Sequence, residues 1–182
     1  EFRQEGLRNH CSDIVKEFRS GKDVFTGATI HGLKGYHLDH VVELHIVRDN
    51  FDLLKRTGTG FDQQKTKLQE DLKRIVNERE NLNFTTADIN YVKFEGFHDF
   101  QAAYQQRQFT VSSRLDNGIV DFLCDAKTEK TGKRLSRAES RKIQKAVYDA
   151  KERIVHELQD ENRVSAQMIE LLQDNFVAMK LK

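Results

Sequence analysis

The sequence predicts an α+β protein that is mainly helical, and three features lead to this prediction. The chain of 182 residues contains no proline, so proline bars no segment from forming a long helix. Apolar residues recur every three or four positions along most of the chain, which is typical of amphipathic helices. Short apolar stretches beside glycines, at 24–30 and 36–42, are typical of strands. At 37% hydrophobic and 32% charged residues, the chain is polar yet able to form a core.

The N-terminal part is predicted to be a helix followed by a β-hairpin. Helical spacing over about 3–19 is carried by five apolar side chains, and Ser20 and Gly21 end the helix; these side chains are Leu7, Cys11, Ile14, Val15 and Phe18. The two strand candidates, 24–30 and 36–42, are separated by a turn that contains Gly32 and Gly35. The local residues allow these two strands to pair as a hairpin.

Four further helices are predicted in the middle of the chain. Residues 43–55 and 63–79 each carry one apolar stripe, and the segment 57–60 separates them with two glycines. Residues 116–126 give a shorter helix candidate. After Asn90, aromatic side chains recur at helical spacing, at Phe94, Phe97, Phe100 and Tyr104. Helical spacing favours their burial in a core, whereas a platform for stacking nucleic-acid bases would need exposed rings.

A polar linker at 127–133 divides the chain into a first region, 1–126, and a basic C-terminal helical region, 127–182, that packs on it. The second region contains a helix that starts with a capping box formed by Ser136 and Glu139 and runs to about residue 159. Its apolar stripe consists of Ile143, Val147, Ala150, Ile154 and Leu158. A last helix is predicted over 164–179.

Positive charge is concentrated in the C-terminal region. Residues 127–153 contain ten Lys or Arg and four Asp or Glu, whereas the whole chain has a net charge of +1. Four basic residues lie opposite the apolar stripe of the helix: Arg134, Arg137, Arg141 and Lys145. Such a face favours contact with nucleic-acid phosphates. The alternative is a solvated surface whose charges pair along the helix.

Cysteine usage and hydropathy say little about location. Cys11 and Cys124 lie in apolar periodic stretches, so two buried free thiols are expected, which fits a reducing compartment. No apolar run approaches the length of a membrane span, and no signal peptide is visible. The location therefore stays open: the protein's own cell, the interior of a target cell and, if the source is eukaryotic, the nucleus are all compatible with the sequence.

Two separated stretches carry the chemistry that the sequence predicts. Residues 36–44 read Tyr-His-Leu-Asp-His-Val-Val-Glu-Leu, and residues 81–93 read Asn-Leu-Asn-Phe-Thr-Thr-Ala-Asp-Ile-Asn-Tyr-Val-Lys. In an extended segment the neighbours Asp39 and His40 point to opposite faces. One can then bind a metal while the other reaches a water molecule or a phosphate. Lys93 follows Asn90 by about one helical turn.

This combination resembles the HNH nucleases, whose catalytic core is the ββα-metal fold. The resemblance covers about residues 24–94 and implies a small ββα-metal core with a helical insertion at 43–80 and flanking terminal helices. It also implies that the protein hydrolyses phosphodiester bonds. His40 is then the general base, Asp39 and Asn90 are metal ligands, Asn81 bonds backbone and holds the base in place, and Lys93 contacts a phosphate. Asn83 is an alternative to Asn81 if the register shifts by two.

The resemblance further implies one divalent metal ion. A carboxylate and an amide oxygen favour Mg²⁺, with Mn²⁺ as a substitute and Zn²⁺ as an alternative. His37, Glu43 and His45 are further candidates for the metal shell. DNA is the expected substrate before RNA, with little sequence specificity, because no base-reading module is evident. An isolated nuclease domain of this kind also resembles the toxic modules of secreted effectors and polymorphic toxins.

Two other classes of protein stay open from the sequence. A non-catalytic nucleic-acid-binding module would keep the fold and the basic helix without cleaving its ligand. A helical interaction protein would use Asp39 and His40 to cap an element and the asparagines to form turns. Cleavage with and without EDTA separates the first alternative from a nuclease, and binding to DNA or heparin at low salt separates the second from both.

Overall fold

The computed structural model describes residues 2, 7, 21–32, 34–58, 60–106, 118–129, 131–158 and 163–180. These residues form six α-helices and one two-stranded sheet, so the predicted class, α+β and mainly helical, is confirmed. In chain order the elements are β1 (Tyr36–His40), α1 (Leu44–Thr57), α2 (Phe61–Val76), β2 (Leu82–Thr86), α3 (Ala87–Gln105), α4 (Ile119–Asp125), α5 (Arg137–Leu158) and α6 (Arg163–Ala178).

The sheet differs from the predicted hairpin. β1 pairs antiparallel with β2, with His40 opposite Leu82, and residues 22 and 29 form only an isolated bridge. The prediction that 24–30 is a strand paired with 36–42 is therefore wrong. The reason is local: the Asp23 carboxylate accepts hydrogen bonds from the Phe25 amide (2.9 Å) and the Thr26 hydroxyl (2.8 Å). Those bonds favour a tight turn over an extended strand.

The helices predicted within the described residues are present, with small shifts at their ends. Gly60, at φ +77°, separates α1 from α2, a backbone conformation that glycine adopts without steric cost. Helix α2 ends at Val76 rather than 79, and one 3₁₀ turn (Arg79–Asn81) leads into β2. The capping box before α5 is confirmed: the Ser136 amide donates to Glu139 Oε2 (2.8 Å), and the Glu139 amide donates to Ser136 Oγ (3.2 Å).

One hydrophobic core joins the helices on both sides of the 127–133 linker. It contains fully buried side chains from six helices, among them Val47, Leu72, Phe97, Leu123, Val147 and Leu172. All five residues of the predicted stripe on α5 are buried, as expected. A Cβ at Gly96 would lie 2.9 Å from a methyl carbon of Leu123, so the glycine permits the close approach of α3 to α4.

A second, smaller cluster covers one face of the sheet and consists of Leu7, Ile30, Leu82 and Phe84. Apart from Leu7, the predicted helix 3–19 with Cys11 lies outside the described residues. Cys124, expected to be buried, is half-buried, and its Sγ lies 3.3 Å from the Ser140 hydroxyl. Within the described part of the chain, no helix combines the length and the apolar character needed to cross a membrane.

Candidate functional site

The β1–β2 ladder brings the two motif stretches together. Asp39 pairs with Asn83 and His40 pairs with Leu82, so residues that are about 40 positions apart in sequence become neighbours. Asn81 directly precedes β2, and α3 directly follows it. Since α3 carries Asn90 and Lys93, a strand, a second strand and a helix surround the Asp39–His40 pair.

Asn81 bonds the backbone that follows His40. Its Oδ1 accepts a hydrogen bond from the Val42 amide (2.7 Å), and its Nδ2 donates to the Val76 carbonyl (2.9 Å). The Asn81 carbonyl also accepts from the Val41 amide (2.7 Å). The side chain is 2% exposed, so these bonds form away from water and hold the end of β1 against the end of α2.

His40 points to one face of the sheet, where its Nε2 lies 3.0 Å from Asn77 Oδ1. Asn77 donates through Nδ2 to the carbonyls of Phe2 (2.7 Å) and Lys73 (2.5 Å), so its Oδ1 is the acceptor. Nε2 is therefore the donor of this hydrogen bond when the ring is neutral. The residue keeps 9% of its surface exposed.

Lys93 lies on the other face, and its side chain is fully buried. Its Nζ donates to the His40 carbonyl (2.7 Å) and to Glu43 Oε1 (2.5 Å), and it lies 3.0 Å from Asp39 Oδ2. The predicted contact of Lys93 with a phosphate is therefore corrected: an ammonium with no solvent exposure and three oxygen neighbours is not available to substrate. Its position makes it the internal counter-ion of the site.

The buried group, Asp39, Glu43 and Lys93, contains two carboxyls and one ammonium. Burial raises the pKa of Asp39 from 3.8 to about 7, against the opposing effect of Lys93, while Glu43 adds to the rise. Burial alone would lower the pKa of Lys93, but the Asp39 and Glu43 carboxylates outweigh it and raise that pKa. The ammonium thus stays charged, and Asp39 titrates near neutral pH.

The raised pKa of Asp39 predicts that the stability of the fold depends on pH and that Asp39→Asn removes this dependence. A carboxyl whose pKa is higher in the folded state stabilises the fold fully below about pH 4, and that contribution is lost as pH rises through about 7. The free energy of unfolding of Asp39→Asn should therefore improve relative to wild type between pH 5 and about 8. Urea unfolding at a series of pH values measures the difference; a difference that stays constant across this range would contradict the shift.

His45 adjoins this group and is also buried. Burial lowers its pKa, so the ring is neutral at neutral pH. Neither ring nitrogen has a hydrogen-bond partner among the described residues, and Nδ1 lies 3.9 Å from Glu43 Oε2. The ring meets Phe94 edge-on, with 5.8 Å between ring centroids.

The arrangement does not fit the predicted metal site as it stands. The Lys93 ammonium lies against Asp39 Oδ2 and supplies the positive charge that a cation would supply there. Asn90 instead lines a cavity with His37, and no hydrogen bond joins it to Asp39 in the described part. Among the described residues, no three His, Cys, Asp or Glu side chains form a group suited to a metal ion.

The four predicted basic residues are exposed, with Arg134 just before α5 and the other three on it. Three of the four also contact neighbouring groups: Arg134 donates to the Asp125 carbonyl (3.3 Å), Arg137 pairs with Asp121 (2.9 Å) and Lys145 pairs with Asp149 (2.7 Å). A cleft of about 470 Å³ runs between α5 and the start of β2. Its lining includes the basic residues Lys142, Lys145 and Arg153. It also includes two neighbours of His40: Val41, the next residue in the chain, and Leu82, its partner across the ladder.

Two features of the site were not predicted from the sequence. Asn77 bonds His40 from the end of α2, outside both motif stretches, and nothing in its local sequence indicates this contact. The Glu43–Lys93 ion pair was also not predicted, although the two motif stretches carry these opposite charges and could have indicated it. Comparison with family models, with curated proteins and with solved structures finds no match to this chain.

Proposed function

We propose that this protein is a metal-dependent endonuclease of the HNH type that hydrolyses phosphodiester bonds in nucleic acid, DNA before RNA, with little sequence specificity. The pairing of β1 with β2 carries the proposal. The stretches 36–44 and 81–93, which contain the resemblance, lie side by side in register, and α3 follows. The bond of Asn81 to the backbone after His40 is the contact that the resemblance implies, whereas the hairpin of 24–30 with 36–42 that the resemblance also requires does not form.

His40 supplies the base of the proposed reaction. Its Nδ1 accepts a proton as the oxygen of a water molecule attacks phosphorus, and the bond from phosphorus to the leaving oxygen breaks. Asn77 orients the ring from the other side through Nε2. Asn81 contributes by fixing the backbone from Val41 to Val42, which limits the positions that the ring can take.

The proposed enzyme requires a divalent cation, which is Mg²⁺ or, in its place, Mn²⁺ or Zn²⁺. Only the resemblance supports this requirement. Binding the cation through Asp39 and Asn90 requires Asp39 to release Lys93. The test is incubation of supercoiled plasmid with the protein in Mg²⁺, with EDTA as the control. Nicked or linear product that EDTA abolishes is expected. Retardation of the plasmid without cleavage would leave a binding module instead.

The basic face of α5 is proposed to contact phosphates of the substrate. Reversing Arg137 and Arg141 to Glu should weaken binding to all duplex sequences alike, because backbone contacts carry no sequence information. It should also flatten the slope of log affinity against log salt by about two units, since each phosphate contact contributes about 0.9. Binding of His40→Ala protein to random duplexes across a salt series measures both quantities.

A matched control for this prediction reverses Lys55 and Arg56, which are exposed at the end of α1 and change the net charge equally. The control should lower affinity less and leave the salt slope nearly unchanged, because distant charges are screened. Equal effects of the two double reversals would show that α5 has no special role in binding. Stability should barely change in either, since exposed charges contribute little to folding.

A further inference from the structure

A cavity of about 580 Å³ opens on the side of α3 that carries Asn90. Its lining combines aromatic rings with polar side chains: His37, Asp88, Asn90, Tyr91, Phe94, Thr128 and Glu129, together with Ala87. The volume lies within the range of about 300–1,000 Å³ that small-molecule sites in proteins span. His37 lies two residues before Asp39 on β1, so the cavity opens on the Asp39 side of the sheet, opposite the face to which His40 points.

Two aromatic side chains of this cavity are exposed although two phenylalanines on the same helix are buried. Tyr91 is 40% exposed and Phe94 is 43% exposed, whereas Phe97 and Phe100 are fully buried. The prediction that Phe94 packs in the core is therefore wrong. Phe94 also stacks on His98, with 22° between the ring planes and 6.0 Å between centroids. Exposed, flat rings of this kind offer a stacking surface for a planar ligand.

The polar groups of the cavity discriminate among planar ligands. Asp88 and Glu129 offer carboxylates, which accept hydrogen bonds and repel phosphate. Partial burial and then the Glu129 and Glu95 carboxylates raise the pKa of Tyr91, so its hydroxyl stays protonated. Asn90 adds an amide that both donates and accepts. A phosphate is disfavoured here, while a ring that carries an amino group satisfies both the aromatic and the acidic side chains.

We propose that this cavity binds an unpaired nucleobase, with preference for bases that carry an exocyclic amino group, so that the substrate of the enzyme is nucleic acid with unpaired nucleotides. The inference rests on the proposed function for the identity of the substrate. Stacking requires a base free of its partner, because a paired base in a duplex presents only its edge. Cytosine and adenine offer amino groups in place of the oxygen that thymine presents there.

The test measures binding rather than cleavage, with His40→Ala protein in EDTA and fluorescently labelled 12-mers of dC, dA and dT and a matched duplex. Tighter binding of dC and dA than of dT is expected. Phe94→Ala and Tyr91→Ala should each weaken single-strand binding by about 5- to 150-fold and leave duplex binding unchanged. Phe94→Leu should bind single strands as weakly as Phe94→Ala, whereas Phe94→Tyr should bind them like the parent protein. This comparison separates stacking on an aromatic ring from apolar packing.

Val177→Ala is the matched control, because Val177 is 59% exposed on α6 and lies outside the cavity. It should bind like the parent protein. Single-strand affinity unchanged in both Phe94→Ala and Tyr91→Ala would overturn the inference while leaving plasmid cleavage, and so the proposed function, intact. Binding of oligolysine that depends on Phe94, without single-strand binding, would likewise overturn it and assign the cavity to cationic side chains. If the protein binds single strands but cleaves no nucleic acid, the proposed nuclease activity is contradicted and the inferred nucleobase site is not.

Discussion

Replacing His40 by alanine is expected to lower the rate of phosphodiester cleavage by about 10²- to 10⁴-fold, the contribution of a positioned general base. The alanine variant should still bind nucleic acid, because the basic face of α5 and the aromatic cavity are unchanged. Loss of the Asn77 contact removes one buried hydrogen bond, so a modest loss of stability of about 1 kcal/mol is also expected. Initial rates of plasmid nicking at saturating Mg²⁺ measure the first effect.

The matched control for this variant is His31→Ala, since His31 is exposed and lies outside both motif stretches. It should cleave at the wild-type rate. Unfolding curves of both variants, recorded under the assay conditions, show whether any loss of activity reflects loss of fold. A His40→Ala protein that cleaves like His31→Ala would remove His40 from the reaction.

Replacing Lys93 by methionine is expected to produce the largest loss of stability. Methionine keeps much of the apolar stem but removes the charge, which leaves Asp39 and Glu43 buried without a counter-ion. Breaking a buried ion pair from one side costs about 3–5 kcal/mol, because the remaining charge is uncompensated. The free energy of unfolding in urea at pH 7 measures the effect, and a midpoint like that of wild type would contradict the role of Lys93 as internal counter-ion.

Two comparisons keep this prediction testable if the single variant folds poorly. Adding Glu43→Gln to Lys93→Met removes one unpaired carboxylate and should recover part of the stability. Lowering the pH toward 5 should do the same, because a protonated Asp39 needs no counter-ion. A double variant that is less stable than Lys93→Met would contradict the uncompensated carboxylates as the cause of the lost stability.

The helices were predictable because each carries its own signal. The stripe from Ile143 to Leu158 has helical spacing, and the Ser136–Glu139 box marks the start of α5, so both the burial and the cap follow from local sequence. The sheet was not predictable in the same way. Its partner strands are separated by two helices, and the nearer candidate at 24–30 is diverted into a turn by Asp23, whose carboxylate bonds several groups at once.

Site residues were harder to place, because charge alone does not reveal burial. Lys93 follows Asn90 by three positions on α3, which was consistent with a surface contact, but Asp39 and Glu43 draw its ammonium into the interior. The exposed faces of Tyr91 and Phe94 were also missed. Their spacing matches that of the buried rings, and only the packing of α3 between the sheet and α4 decides which rings reach solvent.

The central claim is that His40, held at the end of β1, activates water for phosphodiester hydrolysis. The most direct measurement is single-turnover cleavage of an end-labelled duplex oligonucleotide, with excess wild-type or His40→Ala protein purified identically, in Mg²⁺. The account predicts that wild type converts the substrate to shorter products and that His40→Ala does so at least about 100-fold more slowly. No cleavage by wild type, or equal cleavage by the two proteins, would contradict it.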